Sequence, residues 1–344
     1  MKPIALDAMG GDHAPQATVE GAVRAARSLN VPVLLVGDRA QLRAELDRHA
    51  PVPPGIEIVH AGDAIGMEES PGAALLRRRD ASIIVAANLV KDGRASGVVS
   101  AGNSGAVMGA AVLRLGMLQG VDRPAIAMIL PNRHGRTVML DGGATVDSRP
   151  EHLRDFAIMG SAYAHCLHHI ERPRVGLLSI GEEPSKGSAL SKGAFALLEK
   201  TPINFIGNVE GKEIALGAVD VVVCDGFVGN VVLKTIEGYA ELFVGMVREQ
   251  LTANWRHRLG AWMLRKGLRS IADGLNYASH GGALLVGVNG VCVIGHGRSS
   301  PPAIESAIRV AKELADQDIV AEMAASFRQL TASPLGAAAG QDTN

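Results

Sequence analysis

The chain has 344 residues and a formal net charge of -1, because 34 basic side chains nearly balance 35 acidic ones. This balance excludes an overall attraction to nucleic acid, so a charged partner must bind a local patch. Cys166, Cys224 and Cys292 lie far apart in apolar runs and predict neither a disulfide framework nor a zinc cluster. Without an apolar run of signal-peptide or membrane-spanning length, the chain is predicted to be cytoplasmic.

Five short aliphatic runs each lead into a Gly-rich polar turn and then into an amphipathic segment. They are residues 4–9, 97–100, 175–180, 221–224 and 291–294. The repeated strand, turn and helix pattern predicts an α/β protein with a mostly parallel sheet between helices, a three-layer α/β/α architecture. Because the carboxyl ends of parallel strands meet at one edge, we expect the five turns to gather there.

The turn after the second run, SAGNSGA, is the best candidate for an anion site. Its polar and glycine residues are Ser100, Gly102, Asn103, Ser104 and Gly105. A Gly-rich turn at a helix start can hold phosphate with free backbone N–H groups. The alternative is simple helix–strand packing. The turn lacks the dinucleotide fingerprint and the Walker sequence, so neither NAD nor ATP is indicated, and no cofactor is expected.

Polar residues in two later turns are further candidates. Lys186 follows the third run, where an ammonium group can neutralise phosphate or a developing oxyanion, although a solvated surface lysine is the alternative. Asp225 and Asn230 flank two glycines after the fourth run. The Asn230 amide can donate to an oxyanion or, alternatively, cap a helix.

Histidines occupy two of the same turns. His13, which follows Asp12, and His296 are candidate proton carriers or phosphate ligands, with a structural hydrogen bond as the alternative for each. A third group, His165 with its neighbours at 168–169, lacks an acid at matching helical spacing, so a metal site is not expected.

Residues 236 to about 276 predict a protruding helical hairpin, broken at Gly260 and Gly267, in which tryptophan and leucine alternate with arginine. Such a surface suits a membrane interface, an acidic protein or a second copy of the chain. The residues expected to contact membrane or carrier protein are Trp262, Met263, Leu264, Arg258, Arg265 and Lys266. Residues 331–344 lack periodicity and are predicted to be a disordered tail.

Several stretches resemble one family in order along the chain. Residues 6–15, LDAMGGDHAP, resemble the opening of the PlsX family of phosphate acyltransferases, and further stretches resemble the same family at 100–106, 204–211, 224–230 and 281–297. The resemblance covers nearly everything before the tail. The departures are Ser104 in place of threonine, Thr145 and Ser148 in place of asparagine and cysteine, and Ser188 in place of asparagine.

The resemblance implies an acyl-[acyl-carrier-protein]:phosphate acyltransferase that makes acyl phosphate for bacterial phospholipid synthesis. It also implies an α/β/α fold similar to phosphotransacetylases and isocitrate-dehydrogenase-like enzymes. The chain length predicts one catalytic domain over residues 1–330, with two domains as the alternative. Family membership further implies a homodimer that associates peripherally with the inner face of the membrane and works beside the downstream glycerol-3-phosphate acyltransferase.

On this resemblance, orthophosphate held by residues 100–106 attacks the thioester carbonyl without a covalent enzyme intermediate. Lys186 and Asn230 align with residues implicated in the family's active site. We expect Lys186 to neutralise phosphate or the oxyanion and Asn230 to donate to the carbonyl oxygen. His13 and Asp12 are expected to tune phosphate protonation or complete its cradle.

Three alternatives stay open at this point. The first is a phosphotransacetylase that uses acyl-CoA, and only the hairpin and the family motifs distinguish this chain from such an enzyme. A decarboxylating dehydrogenase needs a nicotinamide site and a metal held by acids, and Asp141, Asp147 and Asp225 form no obvious set. A membrane scaffold has no use for a convergent anion pocket.

Overall fold

The computed structural model describes residues 2–275 and 281–331. The strands are β1 (Ile4–Asp7), β2 (Val33–Gly37), β3 (Ile56–His60), β4 (Gly97–Ser100), β5 (Ala125–Asn132), β6 (Gly135–Leu140), β7 (Val175–Leu178), β8 (Phe205–Val209), β9 (Val221–Val223), β10 (Ala283–Val286) and β11 (Val291–Ile294). The helices are α1 (Gln16–Leu29), α2 (Arg39–Asp47), α3 (Pro71–Arg77), α4 (Ser82–Lys91), α5 (Ser104–Leu115), α6 (Pro150–His168), α7 (Ala189–Leu198), α8 (Gly211–Leu216), α9 (Gly226–Thr252), α10 (Trp255–Leu275), α11 (Pro301–Asp316) and α12 (Ile319–Thr331).

The strands form one sheet in the order β3-β2-β1-β4-β11-β10-β5-β6-β9-β7-β8. Neighbours pair in parallel except at the centre, where β10 runs antiparallel to both β11 and β5, and β5 runs antiparallel to β6. Three reversals separate the two parallel blocks. The block of β1 to β4 with β11 therefore runs opposite to the block of β6 to β9.

Alternate strand residues pack against helices on opposite faces, as the two-residue repeat of a strand requires. On β1, Leu6 joins the core under α1, α6, α11 and α12, whereas Ala5 joins the core under α3 to α5. Along β5, Ala127 faces the first of these cores, and Met128 joins a third core with residues of α8 and α9. These cores confirm the predicted three-layer α/β/α class.

The second face of the sheet carries two separate helix groups. Helices α3 to α5 cover the first parallel block, and α8 with the start of α9 covers the second. Between them, Ile126, Met128 and Ala283 of the central antiparallel strands line the floor of a cavity. The sequence predicted a strand before each of the five turns, and a strand precedes each one.

The expectation that all five turns gather at one edge is wrong, because the central reversals turn the second block around. The turns after β1, β4 and β11 lie together, since these strands are parallel and adjacent. The turns after β7 and β9 belong to the opposite block. The antiparallel centre carries no Gly-rich turn of the repeated kind, so the repeated pattern gave no signal for it.

The hairpin is present with different boundaries. Its first helix, α9, begins at Gly226, ten residues before the predicted start, and the turn lies between Thr252 and Trp255. Gly260 and Gly267 do not break α10, because an isolated glycine costs a helix only about 1 kcal/mol. None of the described helices is long and apolar enough to cross a bilayer. Residues 332–344 of the predicted tail lie outside the described residues.

Candidate active site

A cavity of about 300 Å³ lies over the central strands, between the two helix groups. One wall carries Gly102 and Ser104 from the turn after β4, together with Asp12 and His296 from the neighbouring turns. Asn230 and Lys234 of α9 line it as well. The cavity therefore brings together residues from four of the predicted turns and from both blocks of the sheet.

Ser100, the last residue of β4, stabilises the following turn from the buried side. It is completely buried, and its hydroxyl donates to the Asp7 Oδ2 at 2.7 Å and accepts from the Gly102 N–H at 3.1 Å. Burial raises the pKa of the Asp7 carboxyl, against hydrogen bonds from Ser82 and Ser100. The Ser100 hydroxyl is therefore already bonded inside the protein, and its contact with substrate stays a prediction.

Asn103 and Gly105 also hold the turn in place. The Asn103 side chain accepts from the Ala106 N–H at 3.1 Å as the N-cap of α5, and its amide donates to the carbonyls of Met67 and Glu69. A Cβ on Gly105 would lie 2.8 Å from the Pro71 Cγ, so glycine permits close contact with α3. Both residues position the helix start, and the Asn103 side chain is fully engaged in these bonds.

What faces the cavity is the start of α5 itself. The backbone N–H groups of Ser104 and Gly105 have no acceptor among the described residues, as expected for the first turn of a helix. The Ser104 side chain is exposed at the cavity wall. Free amides and a positive helix end form an anion site.

The turn after β11 contributes His296 beside Asp12. The His296 Nδ1 accepts from the Arg298 N–H at 3.1 Å, which places the proton of a neutral imidazole on Nε2. The Asp12 N–H donates to the Gly297 carbonyl at 2.8 Å and fixes the two turns together. This corner therefore offers a histidine donor and a carboxylate acceptor, a combination suited to the hydrogen phosphate ion.

Two glycines set the position of Asn230 at the start of α9. A Cβ on Gly226 would lie 2.8 Å from both the Asp141 Oδ2 and the Thr145 carbonyl oxygen, and Gly229 lies against the Asp141 carbonyl. Asp225 caps the helix by accepting from the Val228 N–H at 2.9 Å. Asp225 therefore caps α9 with one carboxylate oxygen, and its predicted contact with substrate stays a prediction.

The segment against which α9 packs is organised by one buried carboxylate. Asp141 accepts from the N–H groups of Ile126, Gly143, Ala144 and Thr145 at 2.6 to 3.1 Å. Burial raises the pKa of Asp141, whereas these bonds act in the opposite direction. The Thr145 hydroxyl donates to the Pro124 carbonyl at 3.2 Å, so this departure from the family pattern serves the loop.

Asn230 is exposed at the cavity, and its amide has no hydrogen-bond partner in the part of the chain that the structure describes. Lys234, one helical turn further along α9, lines the same cavity and pairs with Glu237 at 2.7 Å. Sequence reasoning missed Lys234. The four-residue spacing from Asn230 was the available signal, since residues i and i+4 share a helix face.

The structure does not bring Lys186 or His13 to the cavity wall. Both side chains are exposed, and neither lines the cavity. The Lys186 turn is held by the Asn208 amide, which donates to the Glu183 carbonyl at 2.9 Å. The role of Lys186 in catalysis stays a prediction. Within residues 2–275 and 281–331, no three histidine, cysteine or acidic side chains lie together as a metal site.

The hairpin presents an exposed apolar and basic surface. Trp262, Met263 and Leu264 are 62 to 72% exposed, and the Arg265 guanidinium lies 5.4 Å from the centre of the Trp262 ring. Arg258 and Lys266 are exposed beside them. These are the groups that the sequence predicted for contact with membrane or carrier protein.

Known proteins share this sequence and fold. The family model described as fatty acid synthesis protein matches residues 2–322. A phosphate acyltransferase from Crocosphaera subtropica is 51% identical over 94% of both chains, and one from Desulfitobacterium hafniense is 47% identical over 96% of this chain and 99% of its own. The EutD phosphotransacetylase from Staphylococcus aureus shares the fold, with a TM-score of 0.58 and 16% identity over 91% of this chain and 94% of its own.

The sequence relatives show that the chain is an acyltransferase enzyme, and its fold is one that phosphotransacetylases also have. This class excludes the dehydrogenase and the scaffold. The chain belongs to the fatty acid synthesis protein family, the PlsX family that its motifs indicated.

Proposed function

We propose that the protein transfers a fatty acyl group from acyl-carrier protein to orthophosphate and releases acyl phosphate for phospholipid synthesis. The observation that carries this proposal is the shared cavity, which is lined both by Ser104 at the start of α5 and by Asn230, whose amide has no partner among the described residues. The helix start suits the nucleophile, and the Asn230 amide suits the carbonyl that it attacks.

The chemistry requires positioning more than activation. Phosphate held at Ser104 and Gly105 attacks the thioester carbon, the carbonyl oxygen becomes an oxyanion, and the carbon–sulfur bond breaks. The proton that hydrogen phosphate loses on becoming acyl phosphate balances the one that the thiolate takes up. Two reactants fixed in one cavity gain a large effective molarity.

In this proposal Asn230 donates to the oxyanion, and Lys234 exchanges Glu237 for the phosphate. Asp12 accepts from the hydrogen phosphate, and the His296 Nε2–H donates to it. Lys186 keeps the role that the family resemblance implies, neutralisation of phosphate or oxyanion, and this role requires its turn to move toward the cavity.

The surface of the hairpin supports acyl-carrier protein as the acyl donor. Its exposed cations Arg258, Arg265 and Lys266 suit an acidic carrier protein or anionic lipid, and its apolar residues suit a bilayer surface. We propose peripheral contact with the inner face of the membrane, a homodimer, and delivery of acyl phosphate to a glycerol-3-phosphate acyltransferase there.

The test is an assay for acyl phosphate, trapped as the hydroxamate, from acyl-carrier protein with and without phosphate. We expect phosphate-dependent product and equimolar free thiol. The same assay with acyl-CoA at matched chain length should give a much lower kcat/KM. Equal rates with the two donors would contradict the carrier-protein assignment and favour a phosphotransacetylase.

A further inference from the structure

A second depression continues from the cavity along α9. It encloses about 790 Å³ and shares Leu233, Lys234, Glu237, His296 and Ser299 with the cavity. Because five lining residues are common to both, the two spaces lie side by side. A group bound at Asn230 is therefore next to this groove.

The groove is lined by both apolar and charged residues. Its apolar residues are Leu130, Pro131, Leu233, Ile236, Ala240 and Val244. Ile236 and Val244 are 38% and 40% exposed, so the groove leaves apolar area in contact with water. The charged residues Glu241, Arg248 and Arg298 also line it. From Leu233 to Val244 the helix rises about 17 Å, which gives the groove the extent of a chain, not of a small headgroup.

We propose that this groove binds the fatty acyl chain of the donor, with the thioester carbonyl at Asn230 and the methyl end toward Val244. This inference rests on the proposed function. Besides its oxygen, the carbonyl carbon carries only two substituents, the acyl chain and the thioester arm. The arm carries amides that lose free energy when buried without partners, whereas a hydrocarbon chain gains about four-fold in affinity for each methylene it buries.

If the groove binds the acyl chain, residues of α9 should determine which acyl-chain lengths the enzyme accepts. Ala240 and Val244 lie one turn apart, about 6 Å along the axis, and both line the groove. A phenylalanine at Ala240 should block the groove about 15 Å along the helix from Asn230. A phenylalanine at Val244 should block it further away and spare chains of intermediate length.

The experiment measures kcat/KM of the full chain for acyl-carrier protein loaded with butyryl to palmitoyl groups. We expect the unmodified protein to gain several-fold per added methylene until the groove is full. Ala240→Phe should lower the rate for long chains at least ten-fold and leave butyryl transfer unchanged. Val244→Phe should shift the limit to longer chains than Ala240→Phe does.

Leu242→Phe is the matched control, because Leu242 is 56% exposed and does not line the groove. It should leave the chain-length profile unchanged, and thermal unfolding should show that all three variants fold. An equal loss for every donor in Ala240→Phe would place the thioester arm in the groove and overturn the proposal, as would an unchanged profile. Calorimetric affinity for the same donors tests the groove separately from turnover, so that failure of the transfer reaction is distinguishable.

Discussion

At the scale of single residues, the family motifs divide into groups that build the turns and groups that face the cavity. The polar side-chain atoms of Ser100, Asn103 and Asp225 form hydrogen bonds within the protein. Ser104 and Asn230 keep theirs free among the described residues. Residue type alone could not separate the two groups, because a buried hydroxyl and an exposed one read identically in a sequence.

Three single substitutions test the residue roles. Asn230→Ala should lower kcat about 100-fold with little change in the KM for phosphate, because loss of one oxyanion donor typically has this effect. Lys234→Ala should raise the KM for phosphate. Lys186→Ala should lower kcat if the role implied by the family resemblance holds, and wild-type turnover would remove Lys186 from the mechanism.

Steady-state kinetics with acyl-carrier protein and phosphate measures all three effects. Thr235→Ala is the control on the same helix, since its hydroxyl donates only to the Val231 carbonyl and it does not line the cavity. A kcat for Asn230→Ala equal to that of Thr235→Ala would contradict the oxyanion assignment.

At the scale of elements, helix starts do most of the positioning. Helix α5 is fixed by Asn103 and Pro71, α9 by Asp225 and two glycines, and α6 by a cluster around Asp122. In that cluster the Asp122 Oδ2 lies 2.8 Å from the His152 Nε2 and 2.6 Å from the Arg149 Nη2. His152 in turn accepts from the Arg149 N–H at 3.1 Å, which completes a capping box.

The Asp122 cluster predicts a pH-dependent contribution to stability. The hydrogen bond from His152 and the charges of His152 and Arg149 lower the pKa of Asp122 below its ordinary 3.8. A lowered folded pKa stabilises the protein above pH 3.8, and the contribution is lost as the pH falls through the folded value. Asp122→Asn should therefore reduce the free energy of unfolding near neutral pH by up to about 1 kcal/mol.

Denaturant unfolding from neutral to strongly acidic pH provides the measurement. The difference between the wild-type protein and Asp122→Asn should shrink below pH 3.8. Asp47→Asn serves as the comparison, because Asp47 makes an exposed pair with Arg43 at 3.6 Å and should change stability little. A difference that stays constant across this range would rule out the electrostatic explanation.

At the scale of the whole molecule, the sequence predicted the layers and the hairpin but not the antiparallel centre. The strands of the parallel blocks are visible in the local sequence as aliphatic runs. The runs at 97–100 and 291–294 match their strands in full. The reversal at β5 and β10 depends on which strands become neighbours, a long-range property that no local pattern records. The same long-range pairing decides which turns reach the cavity, because the turn after β9 brings Asn230 there and the turn after β7 in the same block does not bring Lys186.

The exposed apolar side chains of the hairpin predict that the protein binds the surface of a membrane. Trp262→Glu and Leu264→Glu should reduce flotation of the protein with vesicles of anionic lipid at least several-fold, because each places a charge where an apolar side chain would be buried. Leu113→Glu, at a leucine that is 62% exposed outside the hairpin, is the matched control. Undiminished flotation of the two hairpin variants would leave carrier protein or a second copy as the partner of this surface.

The opposed strand blocks also have a consequence for how the protein can change over time. The amides of α5 stand on one packed core and Asn230 on another, and β5 and β10 bridge the two. Selection for a different acyl group can therefore act on Ala240 and Val244 of α9 without disturbing the amides of α5. A lineage that keeps the same acceptor can diversify its donors by mutating a single helix.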